Sequence, residues 1–444
     1  MRNTGEFRYY FTTSRWETCP NGWARLSEDD FQETAGRIER LPEPAGPPPV
    51  WAQDLLRLAR LVYLADKKAV RDGAVDKWTR SIDLSIPLRE PNAWAGQPTH
   101  DIHALLGILT SDVWRVTLRP HAPLHSGVQG SLDDDWRAEE VGLLSGGLDS
   151  TAYAAHAARR DDRPLLLVTF LERKLKKRQE EIFRQIKAIR PRDVRQAPIS
   201  QTPMGSQRRS GRRRSRLELS ARSRGLLYTA TAVYAAAAHG TDTVSVPENG
   251  LLAVNPPLNP SRLAACSTRA VHPATLSLIN ALIKGIGGSV CVVNPLLEQT
   301  KGEVCRLALD AGLSPDVLER TVSCAHPPIN RLRGGYEHCG RCFACLVRRS
   351  GLHHALGEDH TRYQERPWNL PVNADKAEDL RALQGWLRTP FSTTDLLADT
   401  PLPRDITPGS LMPVLQRGRR ELIAMLNALL PSDSKHRLGW KPCP

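Results

Sequence analysis

The sequence has no long apolar run. None of its 444 residues lie in a stretch near the ~20 apolar residues that a membrane-spanning helix needs, and stretches such as ELIAMLNALL have the length of a buried helix. The first residues, MRNTGEFRYYFTTSRW, contain no apolar core of a secretion signal. We therefore expect a protein of the cytoplasm, neither secreted nor integral to a membrane.

The cysteines are few and odd in number, nine in all, which does not suit a framework of disulfides. Five are scattered and four form the pattern C-x14-C-x2-C-x2-C, namely Cys324, Cys339, Cys342 and Cys345. Four thiolates with CxxC spacing are typical of structural Zn²⁺, because they leave no coordination position open for catalysis. An iron–sulfur cluster uses the same ligand type and stays the less favoured alternative. His338 is expected to be a neighbour of this site and not a ligand.

Composition indicates a folded protein of more than one domain. Apolar residues make up 40% and charged residues 25% of the chain, and the length is about three times that of a common single domain. The formal net charge of +13 is compatible with a nucleic acid, a nucleotide or an acidic protein as partner. An arginine-rich background explains that charge equally well, so it does not choose among these partners.

Three regions differ in their patterns. Residues 1–135 hold strand-like pieces such as FRYYFTT and the amphipathic helix WAQDLLRLARLVYLAD, and are interpreted as an α+β domain of unknown role. Strands and helices alternate through residues 136–355, which predicts an α/β fold with a parallel, doubly wound sheet. Residues 356–444 are predicted to form a helical region.

One short motif, SGGLDS at residues 145–150 (the SGGLDS loop), stands between an apolar strand and a helix. Bare backbone at Gly146 and Gly147 lets amide groups approach phosphate oxygens, and Ser145 and Ser150 add hydroxyl donors. Asp149 falls in the first helical turn, where it could hold a Mg²⁺-bound water. The GK[ST] ending of a Walker A loop is absent. The alternative is a glycine turn that caps the helix through Asp149.

This motif resembles the PP-loop of the N-type ATP pyrophosphatases. The resemblance implies a doubly wound sheet and an enzyme that splits Mg-ATP between its α and β phosphates. It also implies that the backbone of the second strand, at Val168 and Phe170, reads adenine. Further basic candidates for phosphate contacts are Lys176, Arg178, Arg224 and, in TKGEV, Lys301.

The SGGLDS loop followed by CGRCFACLVRR is similar to the 7-cyano-7-deazaguanine synthases (QueC), over about residues 140–353. That family adenylates 7-carboxy-7-deazaguanine in a zinc-containing domain, and ammonia then gives an amide and later a nitrile. No counterpart of the family's substrate loop is present. Its place is taken by VPENGLLAVNPPL and STRAVHPATL, in which the substrate candidates are Glu248, Asn249, Arg269 and His272. Asn249 is equally a turn residue, and a structural role is favoured for His272.

The long terminal additions resemble QatC, the QueC-like component of the Qat anti-phage defence operons. This resemblance implies a protein partner from the same operon and suggests a protein amine as the acceptor. Two alternatives stay open: a PP-loop tRNA-modifying enzyme, and a non-catalytic nucleotide-binding component of a defence complex. The first would use the arginine run within residues 208–216 to bind RNA, although a mobile surface loop is the favoured interpretation of that run.

Overall fold

The computed structural model describes residues 6–32, 46–120, 136–160, 163–172, 174–205, 216–258, 269–325, 337–399 and 402–441. The arginine run lies outside these residues except for Arg216. In the N-terminal region, four parallel strands form one sheet in the order β2-β1-β3-β4. The strands are β1 (Glu6–Phe11), β2 (Ala24–Leu26), β3 (Ser81–Pro87) and β4 (Val113–Arg119), and the helices are α1 (Val50–Lys68) and α2 (Gln97–Thr110). Helices and strands thus alternate along a parallel sheet in this region too.

A second sheet has five parallel strands in the order β7-β6-β5-β8-β9, which confirms the doubly wound prediction. Its strands are β5 (Glu140–Leu143), β6 (Leu165–Phe170), β7 (Val194–Ile199), β8 (Thr243–Ser245) and β9 (Cys291–Val293). The helices between and after them are α3 (Leu148–Arg160), α4 (Lys176–Ile189), α5 (Arg224–His239), α6 (Gly250–Val254), α7 (Pro273–Gly285), α8 (Lys301–Asp310) and α9 (Pro315–Arg320). The strand order reverses between β5 and β8, and ligands bind at such switch points beyond the carboxyl ends of the strands.

The C-terminal region is helical, as predicted. Helix α10 (Phe343–Leu356) leads into this region, which then contains α11 (Glu378–Arg388), α12 (Thr393–Asp399), α13 (Pro408–Leu429) and α14 (Ser432–Arg437). α13 packs against α6, α8 and α10, which brings this region to the edge of the second sheet. Of the helices that the structure describes, none combines the length and the apolar character required to cross a bilayer.

The two sheets share one hydrophobic core. Alternate residues of β6 face opposite sides, so that Leu165 and Leu167 pack with α3 and α4 while Leu166 and Val168 pack toward α5. From α5 the core continues through α1 and α2 into the first sheet. The boundaries at residues 135 and 355 stay predictions, but the described parts of the first two regions do not pack separately.

Buried charges also join these two regions. Arg80 lies within 2.6 Å of Asp66 in α1, and the same guanidinium donates to Asp112. Ser223, directly before α5, donates to Asp66 through its hydroxyl at 2.6 Å and its backbone N–H at 3.1 Å. The start of α5 is therefore held by the N-terminal region.

Candidate functional site

The SGGLDS loop is held by its own hydroxyl groups. The Ser145 and Ser150 hydroxyls lie 3.0 Å apart, and the Gly147 N–H donates to Ser145 Oγ at 3.2 Å. Gly146 has a φ of +84°, a conformation that favours glycine, and a Cβ there would lie 3.1 Å from Cγ of Gln179. The loop therefore has a fixed shape at the amino end of α3, where anions are favoured.

Asp149 and Lys301 meet at this loop. Lys301 Nζ donates to Asp149 Oδ2 at 2.6 Å, and Asn249 Nδ2 donates to the same oxygen at 3.1 Å. Both charged side chains are buried, with 2% of Lys301 and 6% of Asp149 exposed. Burial raises the pKa of Asp149, but the Lys301 ammonium and the hydrogen bonds from Glu248, Lys301 and Asn249 together outweigh it, and the net shift is downward. The structure thus brings together two residues that the sequence proposed independently.

Glu248 adds a second carboxyl group to this cluster. Its Oε1 accepts a hydrogen bond from Asn249 Nδ2 at 3.1 Å, and its backbone is fixed by Asn294 through bonds of 3.1 and 2.8 Å. Burial and the nearby charge of Asp149 raise the pKa of Glu248 well above its usual value. The two neighbouring carboxyl groups are thus shifted in opposite directions, the pKa of Asp149 downward and the pKa of Glu248 upward. Asn249 also caps α6 by accepting the Leu252 N–H at 3.3 Å, so its cluster and turn roles coexist.

The position of Lys301 is set by a capping box and by a glycine. Thr300 Oγ1 accepts the Glu303 N–H at 3.2 Å, and Glu303 accepts the Thr300 N–H at 2.8 Å, so α8 begins at Lys301. The Lys301 side chain crosses α10 at Gly351, where a Cβ would lie 2.3 Å from Lys301 Cγ. Gly351 therefore keeps the path of this side chain open.

Gln179 is a site residue that the sequence analysis missed. Its Nε2 donates to the carbonyls of Ser145 and Phe170 at 2.9 and 3.0 Å, and its Oε1 accepts the Glu172 N–H at 3.1 Å. One side chain thus ties together the carboxyl ends of β5 and β6. The available signal was a neutral amide on the inner side of an otherwise charged segment, KKRQEEI.

The other basic candidates have partners different from the Asp149–Lys301 pair. Lys176 is exposed at the start of α4, with Glu180 3.8 Å away. Arg224 is exposed at the start of α5 and bonds to Glu172 at 3.1 Å. Arg178 is half-buried, and burial, Arg348 and Arg178 together lower the pKa of His338 to about 2. Within the described residues, none of the three forms an ion pair or a hydrogen bond with Asp149.

The second-strand candidates are core residues. Val168 and Phe170 are both buried, and the Phe170 ring stacks on Tyr228 with centroids 3.9 Å apart. Their side chains are therefore part of the core, and their carbonyls also accept hydrogen bonds, Val168 from the Leu144 N–H at 2.9 Å and Phe170 from Gln179 Nε2 at 3.0 Å.

The remaining substrate candidates have structural contacts. His272 is 2% exposed and caps α7, with its Nδ1 accepting the Ala274 N–H at 3.1 Å, and burial lowers its pKa to about 4. Arg269 is half-buried, and its carbonyl accepts from Thr275 at 2.7 Å. These contacts of Arg269 and His272 lie at the start of α7.

The four clustered cysteines form a site with zinc geometry. Their sulfur atoms all lie within 4.8 Å of one another, and those of Cys339 and Cys345 are 3.8 Å apart. A tetrahedral zinc with Zn–S bonds of ~2.3 Å separates its sulfurs by about 3.8 Å. Backbone N–H groups point at the sulfurs, from Cys342 to Cys339 and from Cys339 to Cys324, both at 3.4 Å. The donor set and its spacing fit Zn²⁺.

This cysteine site is connected to the SGGLDS loop. Ser323, directly before Cys324, accepts the Leu148 N–H at 3.3 Å, and the Val322 N–H donates to the Gly146 carbonyl at 2.8 Å. His338 is a neighbour, as expected, and its Nε2 accepts the Ser323 N–H at 3.4 Å. The last clustered cysteine lies in α10, the helix that carries Gly351. The cysteine site therefore contacts the SGGLDS loop, which carries Asp149, and contributes to α10, which packs against Lys301 at Gly351.

Residues 271–356 match the family model described as "QueC: Queuosine biosynthesis protein QueC". This part of the chain is QueC-like. It contains Lys301 and all four clustered cysteines, whereas the SGGLDS loop lies before it. The QueC-like region and the loop meet in the structure through the Lys301–Asp149 contact.

Curated relatives agree with this match over a limited length. The 7-cyano-7-deazaguanine synthase of Saccharophagus degradans is 35% identical over 77 residues, which is 17% of this chain and 31% of the relative. That of Pyrococcus horikoshii is 38% identical over 78 residues, 18% and 31% of the respective chains. The chain thus spans about a third of the relatives it matches. A solved ketoreductase domain from the bacillaene assembly line aligns over 63% of this chain at 11% identity with a TM-score of 0.22, too low to support an argument.

Proposed function

We propose that this protein is a QueC-like, ATP-dependent enzyme that adenylates a carboxylate and releases pyrophosphate. The observation that carries the proposal is the buried contact of Lys301 with Asp149, which joins the QueC-like region to the SGGLDS loop. The name of the curated relatives suggests 7-carboxy-7-deazaguanine or a related acid as the substrate.

The reaction is one that this arrangement suits. A carboxylate oxygen attacks the α phosphorus of ATP, the bond from that phosphorus to the oxygen bridging the α and β phosphates breaks, and pyrophosphate leaves with the electron pair. The product is a mixed anhydride, which an amine can attack. Such a transfer depends mainly on positioning and charge stabilisation. Ser145, Ser150 and the amino end of α3 would hold the leaving pyrophosphate, and Lys301 would neutralise its charge.

The same cluster has the chemistry for a hard cation. Asp149 is buried, and the Glu248 carboxyl group lies within hydrogen-bonding reach of it, so two carboxyl groups meet in this cluster. Carboxylate oxygens suit Mg²⁺, which would supply charge neutralisation for the ATP phosphates. Asp149 and Glu248 are the residues that would hold it. Lys176, Arg178 and Arg224 stay proposals as more distant phosphate contacts.

The acceptor is ammonia in the simplest proposal, giving an amide and then a nitrile. The QatC-like architecture supports a second proposal, in which the amine belongs to a protein partner from the same operon and the activity serves anti-phage defence. The supporting observation is that the C-terminal helices lie against the QueC-like region through α13, α8 and α10. The part of the molecule that carries the Asp149–Lys301 pair is thus bordered by helices that lie outside residues 271–356.

The test is release of pyrophosphate and AMP by the purified full chain from Mg-ATP and 7-carboxy-7-deazaguanine, with and without ammonium. We expect release that requires the acid and falls by about 10²-fold or more in Asp149→Ala. Asp310→Ala, at the exposed end of α8, is the matched control and should keep full activity. Lack of release in every condition, or equal release from Asp149→Ala, would refute the proposal.

A further inference from the structure

Helix α13 contacts the backbone on both sides of Lys301. Glu421 Oε2 accepts the Gly302 N–H at 3.0 Å, and Glu421 Oε1 accepts the hydroxyl hydrogen of Thr300. Glu421 is 6% exposed, and Thr300 is fully buried. The residues before and after Lys301 are therefore fixed by one carboxyl group from a distant part of the chain.

A second residue of α13 supports the same turn. Arg417 donates to the two carboxylate oxygens of Glu303 at 2.7 and 3.1 Å, and to the Glu298 carbonyl at 2.7 Å. Glu303 is the residue that completes the capping box with Thr300. α13 thus holds the start of α8 through Glu421 and Arg417, four residues and about one helical turn apart.

These contacts change what the amino end of α8 can do. The first N–H groups of a helix lack partners within the helix and attract anions. Here the Gly302 N–H is already bonded to Glu421, so the end of α8 presents the Lys301 side chain and not this amide to a phosphate. The fit is close, since a Cβ at Gly302 would lie 2.6 Å from Glu421 Oε1. Loss of Glu421 would leave a buried N–H and a buried hydroxyl without this acceptor.

We propose that Glu421 is a positioning residue that orients Lys301 toward Asp149 and toward the pyrophosphate of the proposed function, on which this inference rests. Glu421 lies well beyond residue 356, where the match to the QueC model ends. The C-terminal helical region therefore takes part in forming the phosphate site.

The test measures binding of inorganic pyrophosphate to the full chain by calorimetry, so it does not depend on the substrate acid. The variants are Glu421→Ala, Lys301→Ala and the double variant. We expect Glu421→Ala to weaken binding by about 10-fold, the lower end of what outer-shell partners contribute at ligand sites. Because Glu421 acts through Lys301, the double variant should bind no more weakly than Lys301→Ala. Glu421→Gln keeps an acceptor for the Gly302 N–H and should restore most of the affinity.

Arg419→Ala is the control for loss of α13 packing, because Arg419 bonds to the carbonyls of Trp386 and Thr389, away from α8. Wild-type affinity in Glu421→Ala, multiplied losses in the double variant, or an equal loss in Arg419→Ala would each overturn the inference. Should Glu421→Ala not fold, Glu421→Asp, which withdraws the carboxyl group by one methylene, replaces it with the same criteria. Absence of pyrophosphate binding by the unaltered protein would instead refute the proposed function.

Discussion

Gly351→Ala should impair the proposed phosphate site more than it destabilises the fold. An alanine in an open helix position stabilises by ~1 kcal/mol relative to glycine. At residue 351 the added Cβ would lie 2.3 Å from Lys301 Cγ and 2.9 Å from Lys301 Cβ, against ordinary carbon contacts of about 3.5–4.0 Å. Overpacking of this kind costs ~1–3 kcal/mol, so the net loss of unfolding free energy should be at most ~2 kcal/mol.

The functional loss should be larger because Lys301 must move. Relief of the overlap needs a shift of about 1 Å between α8 and α10, and a misplacement of that size costs roughly 10²-fold in rate. The assay pairs urea unfolding with pyrophosphate release and pyrophosphate binding. Gly385→Ala is the matched control, since it is a helical glycine with no atom within 4 Å of the added Cβ. Unchanged binding and release in Gly351→Ala would refute the claim that Lys301 is rigidly placed.

Three further predictions concern stability and metal. In the unaltered protein, burial lowers the pKa of His272 to about 4, so the unfolded chain takes up this proton first as the pH falls below 6.5. Up to about 3 kcal/mol of unfolding free energy is therefore lost between pH 6.5 and 4. His272→Asn should remove this loss, which urea unfolding at each pH would measure. Cys339→Ser should lose zinc and weaken pyrophosphate binding, because the cysteine site holds Ser323 against the SGGLDS loop; full metal content with unchanged affinity would contradict this. Asp112→Ala should cost roughly 3–5 kcal/mol, because the buried Arg71 guanidinium loses its carboxylate and Arg80 keeps only Asp66. Arg320→Ala, from an exposed pair, should cost roughly 1 kcal/mol or less by the same assay.

The features that could be predicted from the sequence are those that depend on a short, continuous segment of residues. The SGGLDS loop needs only a strand, two glycines and a helix start, and the cysteine site needs only the spacing within CGRCFAC plus one earlier residue. Lys301 was proposed from TKGEV alone. Its contact with Asp149 spans 152 positions and depends on how β5 and the start of α8 are placed, which no local pattern states.

The features that the sequence did not predict depend on tertiary neighbours. Gln179 and Glu421 act through their positions beside other elements, and as sequence each is an ordinary polar residue of an amphipathic helix. β7, with the sequence VRQAPI, carries Pro198, which weakens its strand pattern but is tolerated because β7 is an edge strand of its sheet. The parallel pairing of the N-terminal strands likewise does not follow from the alternation of apolar and polar residues along each strand, because tertiary packing determines which strands pair.

The shared core has a consequence for cooperativity. Leu227, Val233 and Tyr234 of α5 lie in the same cluster as Leu58 and Leu61 of α1. The apolar face of α5, a helix of the second sheet, is therefore covered by a helix of the first sheet. A chain cut after residue 135 would expose this apolar face to water and would be prone to aggregate. The N-terminal region and the second sheet should therefore unfold in a single transition, and a mutation in either should change the stability of both.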